Sequence, residues 1–112
     1  MTYRKYRAKR TEVDGIMFAS KGEARRYGEL KLMEKARVIS CLILQPRFLL
    51  QEAFTDSEGK RHRKIEYVAD FEYMEDGRDV VEDFKGVETP VFKIKRKLFL
   101  KQYPSVLFRV TK

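Results

Sequence analysis

Asp70, Asp83 and Lys85 are the residues whose types and spacing could do chemistry in this chain. They flank Met74-Glu75-Asp76-Gly77-Arg78-Asp79, and Asp-Gly between two strand-like runs is a strong hairpin signal that favours a two-residue type I′ turn. With Asp76 and Gly77 at the turn, Glu75 faces Arg78 and the pairing runs outward until Asp70 lies opposite Asp83. Directly opposed residues hold their Cβ atoms about 4.5–5.5 Å apart, and like charges placed so repel. Two carboxylates at such a pair invite a cation. The two-residue period then puts Val81, Asp83 and Lys85 on one face, with Val68, Asp70 and Glu72 beside them. A solvated polar sheet face is the plain alternative, and a one-residue slip would undo the convergence.

The chemistry that suits this trio is phosphodiester hydrolysis. It needs an in-line water and stabilisation of the charge that builds on the phosphoryl and leaving oxygens. Carboxylates such as Asp70 and Asp83 suit Mg²⁺, which keeps several waters and takes only one or two carboxylates. A lysine supplies a compact positive charge that can orient or help deprotonate the water. Asp83-Phe84-Lys85 places ligand and lysine two residues apart, hence on one face.

The elements that must position these residues are legible in outline. Ser20-Lys21-Gly22-Glu23 has capping-box spacing, so a first helix is predicted from about Ser20 to Arg37, with Tyr27, Leu30 and Met33 on its apolar stripe. Glu23 lies on that stripe. It is either a structural cap or a fourth member of the site. Residues 38–50 read as a strand bent at Pro46, and Thr55-Asp56-Ser57-Glu58-Gly59 as a turn. Strands follow at about 64–74 and 79–85. Thr89-Pro90 opens a second helix reaching about Gln102, and a last strand covers 106–110. The order α-β-β-β-α-β predicts an α/β (α+β) fold with a mixed central sheet flanked by helices.

Twenty-five Lys and Arg against 17 Asp and Glu leave a net charge of +8 over 112 residues, the electrostatic footprint of a nucleic-acid binder. Residues 1–14 form a basic arm and 15–112 one domain. No apolar run approaches the length of a membrane span and no signal peptide is evident, so the expected setting is the cytoplasm. Cys41 is expected as a buried apolar residue. The expected DNA contacts are Lys21 and Arg25 on the first helix, Arg63 and Lys64 before the Asp70 strand, and Lys93, Lys95 and Arg96 on the second helix. His62, the only histidine, has no evident Ser or Cys partner, and nothing has zinc-ligand spacing.

Asp70, a hairpin, then Asp83-Phe84-Lys85 resembles the PD-(D/E)xK signature of restriction-endonuclease-like nucleases. With Ser20 to Tyr27, Tyr67 to Phe71, Val81 to Gly86 and the lysine-rich helix ending at Tyr103-Pro104, the chain resembles an uncharacterised family of small phage and prophage proteins placed in that superfamily. The resemblance implies a restriction-endonuclease-like α-β-β-β-α-β core and Mg²⁺- or Mn²⁺-dependent cleavage of DNA in phage DNA metabolism. It makes Asp70 and Asp83 metal ligands, the Phe84 carbonyl a third, Lys85 the catalytic lysine and Glu23 a further contribution from the first helix. Ala69 departs from the motif, which has proline there. A monomer with one such site would nick, whereas a homodimer could cut both strands or a branched junction. The rival reading is a non-catalytic DNA-binding module that keeps the fold.

Overall fold

The computed structural model describes residues 9–112. Its elements are β1 (Thr11–Val13), β2 (Ile16–Phe18), α1 (Lys21–Lys35), β3 (Ser40–Leu44), β4 (Arg47–Gln51), β5 (Phe54–Thr55) and β6 (Arg61–His62), followed by β7 (Ile65–Val68), β8 (Phe71–Glu75), β9 (Arg78–Phe84), α2 (Pro90–Gln102) and β10 (Leu107–Thr111). Both helices start where their caps dictate. The Ser20 hydroxyl accepts from the Glu23 N–H at 3.1 Å, and the Thr89 hydroxyl accepts from the Phe92 N–H at 3.1 Å with proline at the first helical position.

Four strands form the central sheet in the order β10-β9-β8-β3, with β10 parallel to β9 and the other pairs antiparallel. This is the mixed sheet of the expected α-β-β-β-α-β core: α1, β3, β8, β9, α2, β10. The β8–β9 register runs from Glu75↔Arg78 to Phe71↔Glu82, and Asp76 and Gly77 both take positive φ, as a type I′ turn requires.

Each face of the sheet carries a helix. Tyr27 and Leu30 of α1 pack with Ile39, Phe71, Tyr73 and Val80; Phe92 and Phe99 of α2 pack with Leu50, Tyr67, Ala69 and Val81 on the other side. Adjacent residues Val80 and Val81 therefore feed opposite cores, as strand alternation demands. Each fully buried side chain of this kind contributes about 1.5–3 kcal/mol.

Several expectations need correction. The strand expected at 64–74 is two strands, β7 and β8, interrupted at Ala69-Asp70. Opposite the interruption, Gln45-Pro46 separates β3 from β4, so β3–β4 and β7–β8 form one long ribbon with a common kink. There the Gln45 N–H donates to the Asp70 carbonyl at 3.0 Å and the Ala69 N–H to the Pro46 carbonyl at 3.1 Å. The kink shifts the alternation: Tyr67 and Ala69 join Val81 in the α2 core, and Val68 is exposed rather than beside Asp83. Residues 11–13, assigned to the arm, instead pair with Ile16–Phe18 around an Asp14-Gly15 turn. The arm residues before Lys9 lie outside the described residues. Cys41 is exposed, because the irregularity between Ser40 and Ile43 and its own positive φ turn it out of the strand. Among the described residues no helix is long and apolar enough to cross a membrane.

Candidate active site

The β8–β9 ladder stops at Phe71↔Glu82, and the next pair is Asp70 and Asp83. At this point side chains replace backbone partners. The Asp70 N–H donates to Asp83 Oδ1 at 2.8 Å, and the Phe84 N–H donates to Asp70 Oδ2 at 2.8 Å. The second Asp83 oxygen accepts from the Tyr67 hydroxyl. The strand break is thus the device that satisfies the backbone while turning two carboxylates toward each other. Sequence reasoning paired Asp70 with Asp83 and missed Tyr67. The available signal was a polar-tipped aromatic in the apolar run three residues before Asp70.

Asp83 is fully buried. The Asp70 carboxyl is pushed up to about 7, by burial first and then by the negative charges of Asp83 and Glu23, with the Phe84 N–H and Lys85 opposing. Glu23, 7% exposed, is likewise raised, mainly by burial; the Ala19 N–H offsets this in part, Asp83 adds to it and Lys85 opposes it. Glu23, Asp70, Asp83 and Lys85, chosen from the sequence, share one electrostatic neighbourhood. Both readings of Glu23 describe part of it: its N–H makes the cap bond, and its carboxylate is buried within reach of Asp83 and Lys85 fields. Half-buried Lys85 is anchored with its ammonium 4.8 Å from the centre of the Phe92 ring, and its N–H donates to the Thr111 carbonyl at 2.9 Å.

The position of α1 against this strand end depends on Gly22. A β-carbon there would overlap the Phe84 ring, so absence of a side chain lets the first turn, with Glu23, close onto Asp83-Phe84-Lys85. Glu82, the other acid next to Asp83, faces away. It accepts from Arg26 Nε at 2.6 Å and Arg26 Nη2 at 3.0 Å, from the Tyr73 hydroxyl at 2.6 Å and from Thr111 Oγ1 at 3.1 Å. Burial raises its pKa, but the Arg26 and Tyr73 bonds more than offset this and hold it below the ordinary carboxylate value. Glu82 is a buried structural anion beneath α1.

No group of three His, Cys, Asp or Glu side chains among the described residues is gathered as a cation cage. Mg²⁺ does not require one, since it is usually held by one or two carboxylates and keeps its waters. The donor set fits such an ion: Asp70 is short of compensating charge, Asp70 Oδ2 is the only one of its oxygens engaged within the described residues, and every candidate donor is a hard oxygen. Asp83 fits less readily, because both of its oxygens already accept hydrogen bonds.

The expected DNA-contacting cations separate into two groups. Lys21, Arg25, Arg63 and Lys93 are exposed, and Arg25 lines a cleft of about 280 Å³ with Arg26, Glu29, Phe84, Thr111 and Lys112. Lys64 is exposed but lies 3.7 Å from Glu66. Lys95 and Arg96 are half-buried, and Arg96 is held by Glu88 at 3.1 Å and by the Phe92 ring at 5.0 Å. His62 bonds Asp56 at 2.8 Å and stacks on Phe54 with 4.8 Å between ring centres.

Fold and site define an α+β protein that buries a carboxylate–lysine cluster at the end of a kinked β-ribbon, under the first turn of a capped helix. The chain belongs to the family described as "Protein of unknown function (DUF1064)", which it matches over residues 3–112. No curated protein and no solved structure matches it.

Proposed function

We propose that this protein is a metal-dependent DNA endonuclease of the restriction-endonuclease-like class, hydrolysing phosphodiester bonds at the Asp70–Asp83–Lys85 cluster. The observation that carries this reading is the under-compensated negative charge at Asp70, raised to about 7 beside Asp83 and Glu23 with one lysine nearby. Structural carboxylates are normally given counter-charges, as Arg26 gives Glu82. A site that withholds one is poised for a cation.

Asp70, with Asp83, the Phe84 carbonyl and Glu23, would hold Mg²⁺ or Mn²⁺. When bound, the ion supplies positive charge against the phosphoryl oxygens and makes a water more acidic. Lys85 would orient the attacking water and oppose charge on the phosphate. The buried walls formed by Tyr67, Val81 and Phe92 keep the local dielectric low, which strengthens both effects. The +8 net charge brings the substrate to the surface. One cluster serves one strand, so a monomer nicks and a homodimer cuts two strands or a branched junction. In keeping with the resemblance to phage and prophage proteins, we assign this work to DNA metabolism in the bacterial cytoplasm.

One observation favours the second reading, a DNA-binding module without catalysis: both Asp83 oxygens already accept a hydrogen bond within the fold, from Tyr67 and the Asp70 N–H. Incubation of supercoiled plasmid with Mg²⁺ or Mn²⁺ decides between them. Nicked or linear product from the wild type, absent with Asp83→Asn and Lys85→Ala, supports the nuclease. Intact plasmid, linear duplex and four-way junction throughout, with salt-sensitive DNA binding retained, supports the module.

A further inference from the structure

Helix α2 holds five cations, Lys93, Lys95, Arg96, Lys97 and Lys101, and no acid. The fold disposes of two of them: Lys95 is half-buried, and Arg96 is tied to Glu88 and Phe92. Lys93, Lys97 and Lys101 are all exposed, and no acid among the described residues pairs with them. At spacings of four residues they form one row on the helix surface opposite the buried Phe92 and Phe99.

Helix energetics do not account for this row. Like charges four residues apart repel, and the row contains two such pairs. Lys93 sits in the first helical turn, where the dipole disfavours a cation. Only Lys101, in the last turn, is favourably placed. An external polyanion laid along the helix would relieve all three.

We propose that Lys93, Lys97 and Lys101 are a backbone-phosphate track that binds one strand of duplex DNA independently of sequence. The inference rests on the DNA reading above and replaces Lys95 and Arg96 as contacts on this helix. Eight residues at 1.5 Å each separate the first lysine from the last by about 12 Å. Over that length one strand of duplex places roughly three to four phosphates. The track starts one residue after Phe92, the ring over which the Lys85 ammonium lies, and runs to the C-terminal end of the helix. Ile94 and Leu98, 60% and 42% exposed, border the row and give it a rival occupant, an anionic membrane surface.

The test is fluorescence anisotropy with a labelled 20-base-pair duplex in EDTA, comparing the wild type with Lys93→Gln/Lys97→Gln/Lys101→Gln and with the control Lys35→Gln/Arg37→Gln. Circular dichroism and thermal melting confirm that each variant is folded. Three lost phosphate contacts make the slope of log affinity against log salt shallower by about 2.7, so from 50 to 200 mM salt the wild type loses roughly 40-fold more affinity than the triple variant. The control keeps the wild-type slope. DNA binding with an unchanged slope in the triple variant overturns the track and leaves the nuclease reading standing. No DNA binding by the wild type at low salt overturns both. Lysine-dependent binding to vesicles containing phosphatidylserine, with the DNA slope unchanged, assigns the row to a membrane surface instead.

Discussion

Asp70 and Asp83 are joined through the main chain as well as by charge: the Asp70 N–H donates to the Asp83 carboxylate at 2.8 Å while the Asp83 charge raises the cost of ionising Asp70. The backbone bond prevents the strands from relieving the repulsion by moving apart. The kink at Gln45-Pro46 and Ala69-Asp70 frees that N–H from the ladder for this purpose. Repulsion is therefore built into the metal-free fold.

A pH dependence follows. Asp70 has a folded value of about 7 against an unfolded value of 3.8, so between these the folded state binds more protons. Stability then falls as pH rises through that window and levels off above it. Glu72, raised to about 7 by burial and its bond to Asp79, has the same sign. Melting temperature in EDTA should drop between pH 5.5 and 8, by about 4 °C for each kcal/mol lost. Asp70→Asn and Glu72→Gln should each flatten the drop, and Mn²⁺ should flatten it in the wild type but not in Asp70→Asn. A melting temperature independent of pH over this range would contradict the under-compensated charge.

Adjacent acids should give opposite phenotypes. Glu82→Gln leaves the partly buried Arg26 guanidinium without its counter-charge, at a cost of about 3 kcal/mol, yet touches nothing on the Asp83 face. Its folded fraction should cut DNA at the wild-type rate. Asp83→Asn should abolish cutting. Urea denaturation and plasmid cleavage separate the two, and loss of cleavage by folded Glu82→Gln would move the active centre to the α1 face.

The hairpin register, both helix caps and the convergence of Asp70 with Asp83 were legible because each rests on local chemistry: Asp76-Gly77, Ser20 with Glu23, Thr89-Pro90. The break at Ala69-Asp70 was not, because the groups that replace the ladder, Asp83 and the Phe84 N–H, lie 13 and 14 residues away. Cys41 was misplaced for a similar reason, its outward turn coming from the bulge against β8 rather than from its apolar neighbours. Asp14-Gly15 carries the same turn signal as Asp76-Gly77, but the surrounding positive charge disguised a hairpin as an arm. Gly22 showed no sign of its role, since its partner Phe84 is distant in sequence.

Two glycines of α1 should respond oppositely to alanine. Gly28 has open space around it, so Gly28→Ala should stabilise by about 0.5–1 kcal/mol through helix propensity alone. Gly22→Ala gains the same term but forces a β-carbon into the Phe84 ring, and overpacking of that kind costs about 1–3 kcal/mol. Net destabilisation is expected, with slower cleavage because Glu23 is carried on the displaced turn. Adding Phe84→Leu should recover part of both, and a double-mutant cycle measures the coupling. Stabilisation by Gly22→Ala would show that the contact is soft.

Tyr67 holds the oxygen of Asp83 that faces away from the Asp70 N–H. Without metal, Tyr67→Phe strips that buried oxygen of its donor, and the loss should be about 1–3 kcal/mol. A bound cation removes the difference, because Asp83 Oδ2 then has a partner that does not depend on the hydroxyl. In the wild type the tyrosine hydroxyl competes with the ion for the charge on that oxygen; in Tyr67→Phe it does not. Ligand binding raises melting temperature more the more tightly the folded state holds the ligand, as the logarithm of its affinity, so Mn²⁺ should shift the variant further than the wild type. Equal shifts would mean that the ion, if it binds, is held by Asp70 and Glu23 without Asp83 Oδ2, and that Tyr67 serves the fold alone.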